Sequence, residues 1–385
     1  MLGSLMRIGG SVAALAGMIG WATEVLAAEP IRIGSFVSTT GPASFLGEPS
    51  KKALELFIDK FNKDGGVQGR KIELILYDDA GAPEKAAALT KRLIENDHVD
   101  VIIGGNSTPA SLAAIPLVEQ AGIPFISLAG AVTLVEPPKK WVFKTPHTDR
   151  MAAEKVFSDM KRRKITKVAL ISDNGGFGRS GRDESLKVAS SYGIEVVADE
   201  TFGAKDPDVT AQLTKIRGTP GVQAVFAWGF GQGPAILTKN YRSIGLDMPL
   251  YHSHGVASKE FIRLVGDASD GVRLPASGLV VSDQLPASDP QKIVAQSFKS
   301  AYEGAYKIET STFAGYAFDA LQIALAAINR AGGTDKARVR DEIEKTSGYV
   351  GTAGTVTMGP ASHMGLDQSS FHMVEIRKGN WVVVD

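Results

Sequence analysis

Hydrophobic and polar positions along the chain switch repeatedly between a two-residue and a 3.6-residue period. Ile31–Val37 (IRIGSFV) reads as a strand. Residues 47–63 follow with Ala53, Leu54, Phe57, Ile58 and Phe61 on one helical face, and Asp64, Gly65 and Gly66 stop that helix. Residues 71–79 then predict a strand, 84–96 a helix, 99–104 a strand, Thr108–Ala121 a helix and 124–129 a strand. Strands alternating with helices of this length predict a parallel sheet covered on both faces.

The pattern restarts near Thr148. Residues 150–163 read as a helix and Lys167–Asp173 (KVALISD) as a strand. The alternation continues through 177–193, Glu195–Phe202, 209–217, 224–230, 233–245 and 249–254. Beyond Ser282 come three helical stretches, Pro290–Tyr306, 311–331 and 336–346. The chain closes on a hairpin, 371–376 with 381–384, turned at Lys378, Gly379 and Asn380. The expected fold is therefore α/β with two units of similar size, alike in pattern but not in sequence.

The first 28 residues do not belong to that pattern. Arg7, an apolar run over 11–22, and the small residues Val25, Ala27 and Ala28 have the form of a cleaved signal peptide. The run is short for a membrane span of about 20 residues. The mature chain is expected to be exported and to act in the periplasm. No cysteine is available for lipidation of its N-terminus.

Composition narrows the chemistry. Lys+Arg and Asp+Glu are both 42 in 385 residues, so the net charge is 0. A nucleic-acid partner needs a basic face, and no such excess exists. The absence of cysteine excludes thiol catalysis, disulfides, zinc–cysteine sites and iron–sulfur clusters. No P-loop, GxSxG elbow or HExxH occurs. Gly229-Phe-Gly-Gln-Gly233 lacks the dinucleotide spacing, and Asn174-Gly-Gly-Phe-Gly178 reads as a glycine-requiring turn. His252 and His254 share a predicted strand face but have no third histidine nearby. No cofactor or metal is expected.

The strongest local signal is Gly104-Gly-Asn-Ser-Thr-Pro-Ala110, where a strand ends and a helix begins. Thr108 reads as the N-cap and Pro109 as the first helical residue. Free N–H groups there, with the hydroxyls of Ser107 and Thr108, suit an anion such as a carboxylate. Ligands of open parallel sheets bind at such strand ends.

Taken in order, several segments resemble the periplasmic binding proteins of the leucine/isoleucine/valine type, the solute receptors of ATP-driven (ABC) importers. They are Ile31-Arg-Ile-Gly34 with Thr40-Gly-Pro42, then Asn62-Lys-Asp-Gly-Gly-Val67 and Gly69-Arg-Lys-Ile72. Tyr77-Asp-Asp79, Val101-Ile-Ile-Gly104, Gly122-Ile-Pro-Phe-Ile-Ser127, Tyr316 and Asp319 follow. The resemblance spans residues 29–385. It implies the type I fold, two Rossmann-like lobes with parallel central sheets joined by three crossings. The lobes would be 29–147 with 283–364, and 148–282 with 365–385, with crossings near Thr148, Ser282 and Gly365. It also implies a ligand in the cleft, a monomer, no catalytic residues, and a permease and ATPase of the inner membrane as partners.

In that family a carboxylate is held at the positions matching Asn106, Ser107 and Thr108, and at the strand end matching Ala129, Gly130 and Ala131. The amino-acid receptors also hold an ammonium group. The matching positions here are Ala131, Phe177 and His254, with Phe230 at a further family tyrosine. Hydroxyls become aromatic carbon or methyl, and a carboxylate becomes imidazole. A buried ammonium lacking its partner costs about 3–5 kcal/mol. Phe177, Phe230, Phe45 and Trp228 offer apolar walls instead. The expected ligand is therefore an aromatic carboxylate of the benzoate, hydroxybenzoate or hydroxycinnamate type. Two alternatives stay open. One is a receptor for branched-chain or related amino acids, with Asp319, Glu48 or Asp173 facing the cleft. The other is a ligand-binding domain that signals to a membrane sensor.

Overall fold

A computed structural model describes residues 29–203 and 205–385. The signal peptide expected over 1–28 lies outside them. The chain opens with β1 (Ile31–Val37), α1 (Ser44–Lys63), β2 (Ile72–Asp78), α2 (Pro83–Glu95), β3 (Val101–Gly104), α3 (Thr108–Ala121), β4 (Phe125–Ser127) and β5 (Val142–Lys144). It continues with α4 (Asp149–Arg162), β6 (Lys167–Asp173), α5 (Gly176–Val188), β7 (Glu195–Phe202), α6 (Thr210–Gly218), β8 (Ala224–Trp228), α7 (Gln232–Ser243), β9 (Leu250–His252), α8 (Lys259–Val265) and β10 (Arg273–Ser277). Then come α9 (Pro290–Tyr306), α10 (Thr312–Ala331), α11 (Lys336–Glu344), the ribbon β11 (Tyr349–Val350) and β12 (Thr355–Val356), and the hairpin β13 (Phe371–Arg377) and β14 (Asn380–Val383).

The strands form two large sheets. One has the order β2-β1-β3-β4-β5 and is parallel throughout. The other has the order β14-β13-β10-β9-β8-β6-β7 and is parallel except for the terminal hairpin. This is the doubly wound α/β arrangement that the alternating pattern predicts. Buried Val, Ile, Leu and Ala fill β3, β6 and β8, as strands covered on both faces require.

The chain passes between the sheets three times. The first passage lies between Lys144 and Asp149, the second between Ser277 and Pro290, the third between His363 and Phe371. In the middle excursion α9 and α10 return to the first sheet's side. Phe298 and Phe318 pack on Phe57 of α1 at 5.4 and 4.5 Å between ring centres. The third passage is stitched to β5. His363 accepts from the Lys144 N–H and shares a 2.8 Å hydrogen bond between its ring and the Val142 carbonyl.

Several elements lie outside the alternation read from the sequence, the two-residue strands β11 and β12 among them. β5 and α8 are short, and β10 carries Pro275 in mid-strand. Proline supplies no N–H to a ladder. β10 tolerates it because its ladder to β9 is brief, matched only at Arg273 with Tyr251. α1 also begins earlier than expected, at Ser44. Gly47 is no helix start but a close approach, since a Cβ there would stand 2.0 Å from the Ser38 carbonyl oxygen.

Gly104 is a second close approach, and it aims the loop into α3. A Cβ on it would meet the Phe36 carbonyl oxygen at 2.4 Å across the β1–β3 pair. Gly104→Val is expected to destabilise the first lobe by at least about 1–3 kcal/mol, the usual cost of overpacking. Urea unfolding followed by far-ultraviolet circular dichroism checks this; an unchanged midpoint would show that the strands part without cost.

Candidate functional site

The carboxyl ends of both parallel sheets face one cavity of about 380 Å³ of empty volume, part of it open to solvent. From the first lobe come Leu46, Asn106, Ser107, Thr108, Leu128, Gly130, Phe313 and Tyr316. Pro146 enters from the first crossing. From the second lobe come Phe177, Phe230, His254 and Gly255. The lobes touch around the cavity. The Thr312 hydroxyl donates to the Ala257 carbonyl at 2.8 Å. A Cβ on Gly176 would stand 3.0 Å from Pro109.

The polar end of the cavity is built by the turn from β3 into α3. Ser107, not Thr108, is the N-cap, with its hydroxyl accepting from the Ala110 N–H at 3.3 Å. This one-residue shift changes the site. Thr108 becomes the first helical residue, and its buried hydroxyl has no partner among the described residues. Its N–H is one of those a helix start leaves without an intrahelical acceptor. Asn106 is fixed from behind by donating to Ser50 Oγ at 2.9 Å, which leaves its own Oδ1 unpartnered.

Two strand-to-helix turns of the second lobe carry the aromatic walls. Phe177 follows β6 and Phe230 follows β8, with ring centres 6.1 Å apart. Asp173 ties the turns together. Its Oδ1 accepts from the Gly175 N–H at 2.8 Å, and the N–H groups of Gly178 and Phe230 also point to this carboxyl. Burial raises its pKa, and those N–H groups oppose the rise. His252 and His254 part company because β9 ends at His252. That ring turns away and pairs with the Thr238 hydroxyl at 2.9 Å. The His254 ring stands edge-on to Phe177, with Nδ1 unpartnered. Burial, reinforced by the positive charge of Lys144, pushes its pKa down to about 3, so the ring is neutral at physiological pH.

Seven of the residues singled out in the sequence line the cavity: Asn106, Ser107, Thr108, Gly130, Phe177, Phe230 and His254. Four do not. Trp228 is fully buried beneath α5, donating to Ser185 Oγ at 2.9 Å, and supports Phe177 from below. Ala129 and Ala131 face the first lobe's core. Phe45 packs between Phe230 and Phe313 and lines the neighbouring outer cavity. Leu46, Leu128, Pro146, Gly255 and Phe313 were not legible as site residues. They are ordinary core or turn residues in sequence, and only the meeting of the lobes exposes them to the cavity. Tyr316 carried the family resemblance without an assigned place in the site. Its hydroxyl meets His147 Nδ1 at 3.2 Å, and the opposite nitrogen of that ring faces Ser370.

No acidic side chain lines the cavity. Asp319 is buried elsewhere, accepting from Thr352, Ala353 and Tyr349, and burial raises its pKa to about 6. Glu48 pairs with Lys52 at 3.6 Å in an outer groove. Asp173 is occupied by the turns it clamps. None of these three carboxylates lines the cavity.

Asp173→Ala strands the N–H groups it receives, each worth about 1–3 kcal/mol when left unsatisfied. The variant is expected to lower the thermal midpoint and to weaken ligand binding through Phe177 and Phe230. Differential scanning calorimetry reads the first effect. An unchanged midpoint would show that the turns hold themselves.

Comparison with known proteins places this geometry in context. A profile of the family described as periplasmic binding protein matches residues 30–380. A leucine-, isoleucine-, valine-, threonine- and alanine-binding protein of Pseudomonas aeruginosa is 27% identical over 329 residues, covering 84% of each chain. Among solved structures, an extracellular ligand-binding receptor of Rhodopseudomonas palustris HaA2 aligns with a TM-score of 0.86 at 29% identity, covering 92% of this chain and 99% of that one. The branched-chain amino acid substrate-binding protein LivJ of Streptococcus pneumoniae, in complex with isoleucine, aligns at 0.81 and 25% identity, covering 92% and 99%. Such relatives are solute-binding proteins, not enzymes. The two parallel sheets, the three crossings and the cleft between strand ends are those of a type I receptor, and the chain belongs to the periplasmic binding protein family.

Proposed function

We propose that the chain is the periplasmic substrate-binding receptor of an ABC importer for a small apolar carboxylate, delivering it to a permease and ATPase in the inner membrane. We take its lobes as 29–147 with 283–364, and 148–282 with 365–385. The observation that carries this reading is the cavity's two-ended character. The unpartnered Thr108 hydroxyl and the helix-start N–H groups gather at one end, and Phe177, Phe230, Phe313, Leu46 and Leu128 surround the rest. The ends match a carboxylate and a hydrocarbon body. Relatives named for leucine, isoleucine and valine make branched-chain amino acids the first members of that class to test.

A specific observation favours a second reading. No carboxylate lines the cavity to receive an ammonium group, while the rings of Phe177, Phe230, Phe313 and Tyr316 do line it. That composition suits an oxo acid or an aromatic acid of the benzoate, hydroxybenzoate or hydroxycinnamate type. None of the relatives reported above is named for such a ligand, so this reading rests on the cavity alone.

A thermal-shift panel on refolded mature protein separates the readings: leucine, isoleucine and valine against 4-methyl-2-oxopentanoate, benzoate and 4-coumarate. A ligand at about 100 times its Kd adds about 2.7 kcal/mol of stability. A shift with the amino acids alone removes the second reading, and no shift with either set removes the carboxylate receptor. Thr108→Val deletes one hydroxyl donor to the carboxylate. Hydrogen bonds to charged groups contribute about 1.5–3 kcal/mol, so Kd should rise about 10- to 150-fold by calorimetric titration.

A further inference from the structure

Behind the cavity wall lies a buried cation that nothing above has used. Lys144 ends β5 and is fully buried. Its Nζ donates to the Gly130 carbonyl at 2.9 Å and to the His147 carbonyl at 3.3 Å. No carboxylate among the described residues lies within 4.0 Å of it. Asp149 is the nearest acidic influence, and its oxygens hydrogen-bond to other groups rather than to the lysine. One accepts from the N–H groups of Val132 and Arg150, the other from the Ser180 hydroxyl. Glu136 acts from farther off and pairs with Arg150. The remaining ionisable rings around Lys144, His147 and His254, are buried and held neutral. Buried charges in proteins are ordinarily paired.

The position of this charge is specific. Gly130, whose carbonyl Lys144 grips, lines the cavity. A Cβ on Gly130 would stand 2.9 Å from both His254 Nε2 and Phe177 Cε2. Gly130 thus touches the ammonium group through its carbonyl and also borders the cavity. We propose that Lys144 is the specificity-determining charge of this site: Asp149 and Glu136 act on it only from beyond 4.0 Å, and the carboxylate of the ligand, bound on the other side of the Gly130 peptide, supplies the close counter-charge. The inference rests on the carboxylate reading of the cleft and adds what selects for charge. Lys144 touches no ligand in this arrangement; it acts through the field it places behind Gly130.

Linkage makes the idea testable. Burial lowers the Lys144 pKa to about 7, with Asp149 and Glu136 opposing the fall. A carboxylate brought close raises it again. The lysine must then take up a proton when a ligand binds above pH 7. Affinity is full below pH 7 and falls as pH rises, by about tenfold between pH 6 and pH 8. His147 and His254 have already lost their protons in this window and add no slope.

Isothermal titration calorimetry at pH 8, in buffers of differing ionisation enthalpy, counts the protons. Leucine, 4-methyl-2-oxopentanoate and benzoate serve as probes, since each keeps an ionised carboxylate from pH 6 to pH 8. Wild type is expected to take up about 0.9 proton per ligand bound. Lys144→Arg keeps the charge without titrating, so its affinity should hold while uptake and pH slope vanish. Lys144→Met should bind about tenfold or more weaker at pH 6, again without slope. If Lys144→Met fails to fold, the wild-type proton count and the Arg variant still decide. Binding without proton uptake in wild type, or a pH slope that survives in Lys144→Arg, overturns the inference and leaves the receptor intact. Binding of none of the three probes overturns the receptor reading and this inference together.

Discussion

Parallel sheets collect their strand-to-helix turns at one edge, and here two such edges meet. Every feature of the site depends on that constraint. A turn at a strand's carboxyl end leaves N–H groups that neither sheet nor helix satisfies. The chain answers this locally. Ser107 caps α3, Asp173 receives the N–H groups of the β6 and β8 turns, and the Ser253 hydroxyl accepts from the Gly255 N–H. With the turns held by their own bonds, the side chains they carry are free to face the cavity. Thr108, Phe177, Phe230 and His254 all sit on turns of this kind.

Three crossings then bring the two edges into register. The first crossing is the most constrained, because His147 stacks on Phe371 at 3.9 Å between ring centres and faces both Tyr316 and Ser370. It thereby ties the first passage to the third and to α10. Lys144 and Asp149 flank it, one gripping the Gly130 carbonyl, the other reaching Val132 in the first lobe and Ser180 in the second. Hinge and binding wall are thus one hydrogen-bonded unit.

The electrostatics of the cavity follow from what is buried beside it. Two histidines held neutral and a lysine hydrogen-bonded to backbone carbonyls lie beside it, with Asp149 and Glu136 as the nearest acidic groups to that lysine. Carboxylates of this chain that the sequence left as partners for an ammonium group are spent on structure. Asp319 caps the β11–β12 ribbon and Asp173 holds two turns. The isoleucine-bound relative shares the fold.

The alternation of periods determined the α/β class, the two units and the order of nearly all helices and strands, because each element's burial pattern is local. It also marked the turn at Gly104–Ala110 and the glycine-rich turns bearing Phe177 and Phe230, since capping and positive-φ chemistry are written in adjacent residues. It did not show β10, whose mid-strand Pro275 hides it, nor the N-cap shift that frees the Thr108 hydroxyl. It could not distinguish Trp228 from Phe230, two aromatic residues apart by two positions, one under the wall and the other in it. Nor could it single out Leu46, Leu128, Phe313 or Lys144, which look like core or surface positions in a linear reading. The cavity roles of Leu46, Leu128 and Phe313 arise where the two lobes meet, which no local pattern encodes, and that of Lys144 from the fold of the first crossing against Gly130. Tertiary structure alone decided which face of each turn meets the cavity, and which buried charges lie behind it.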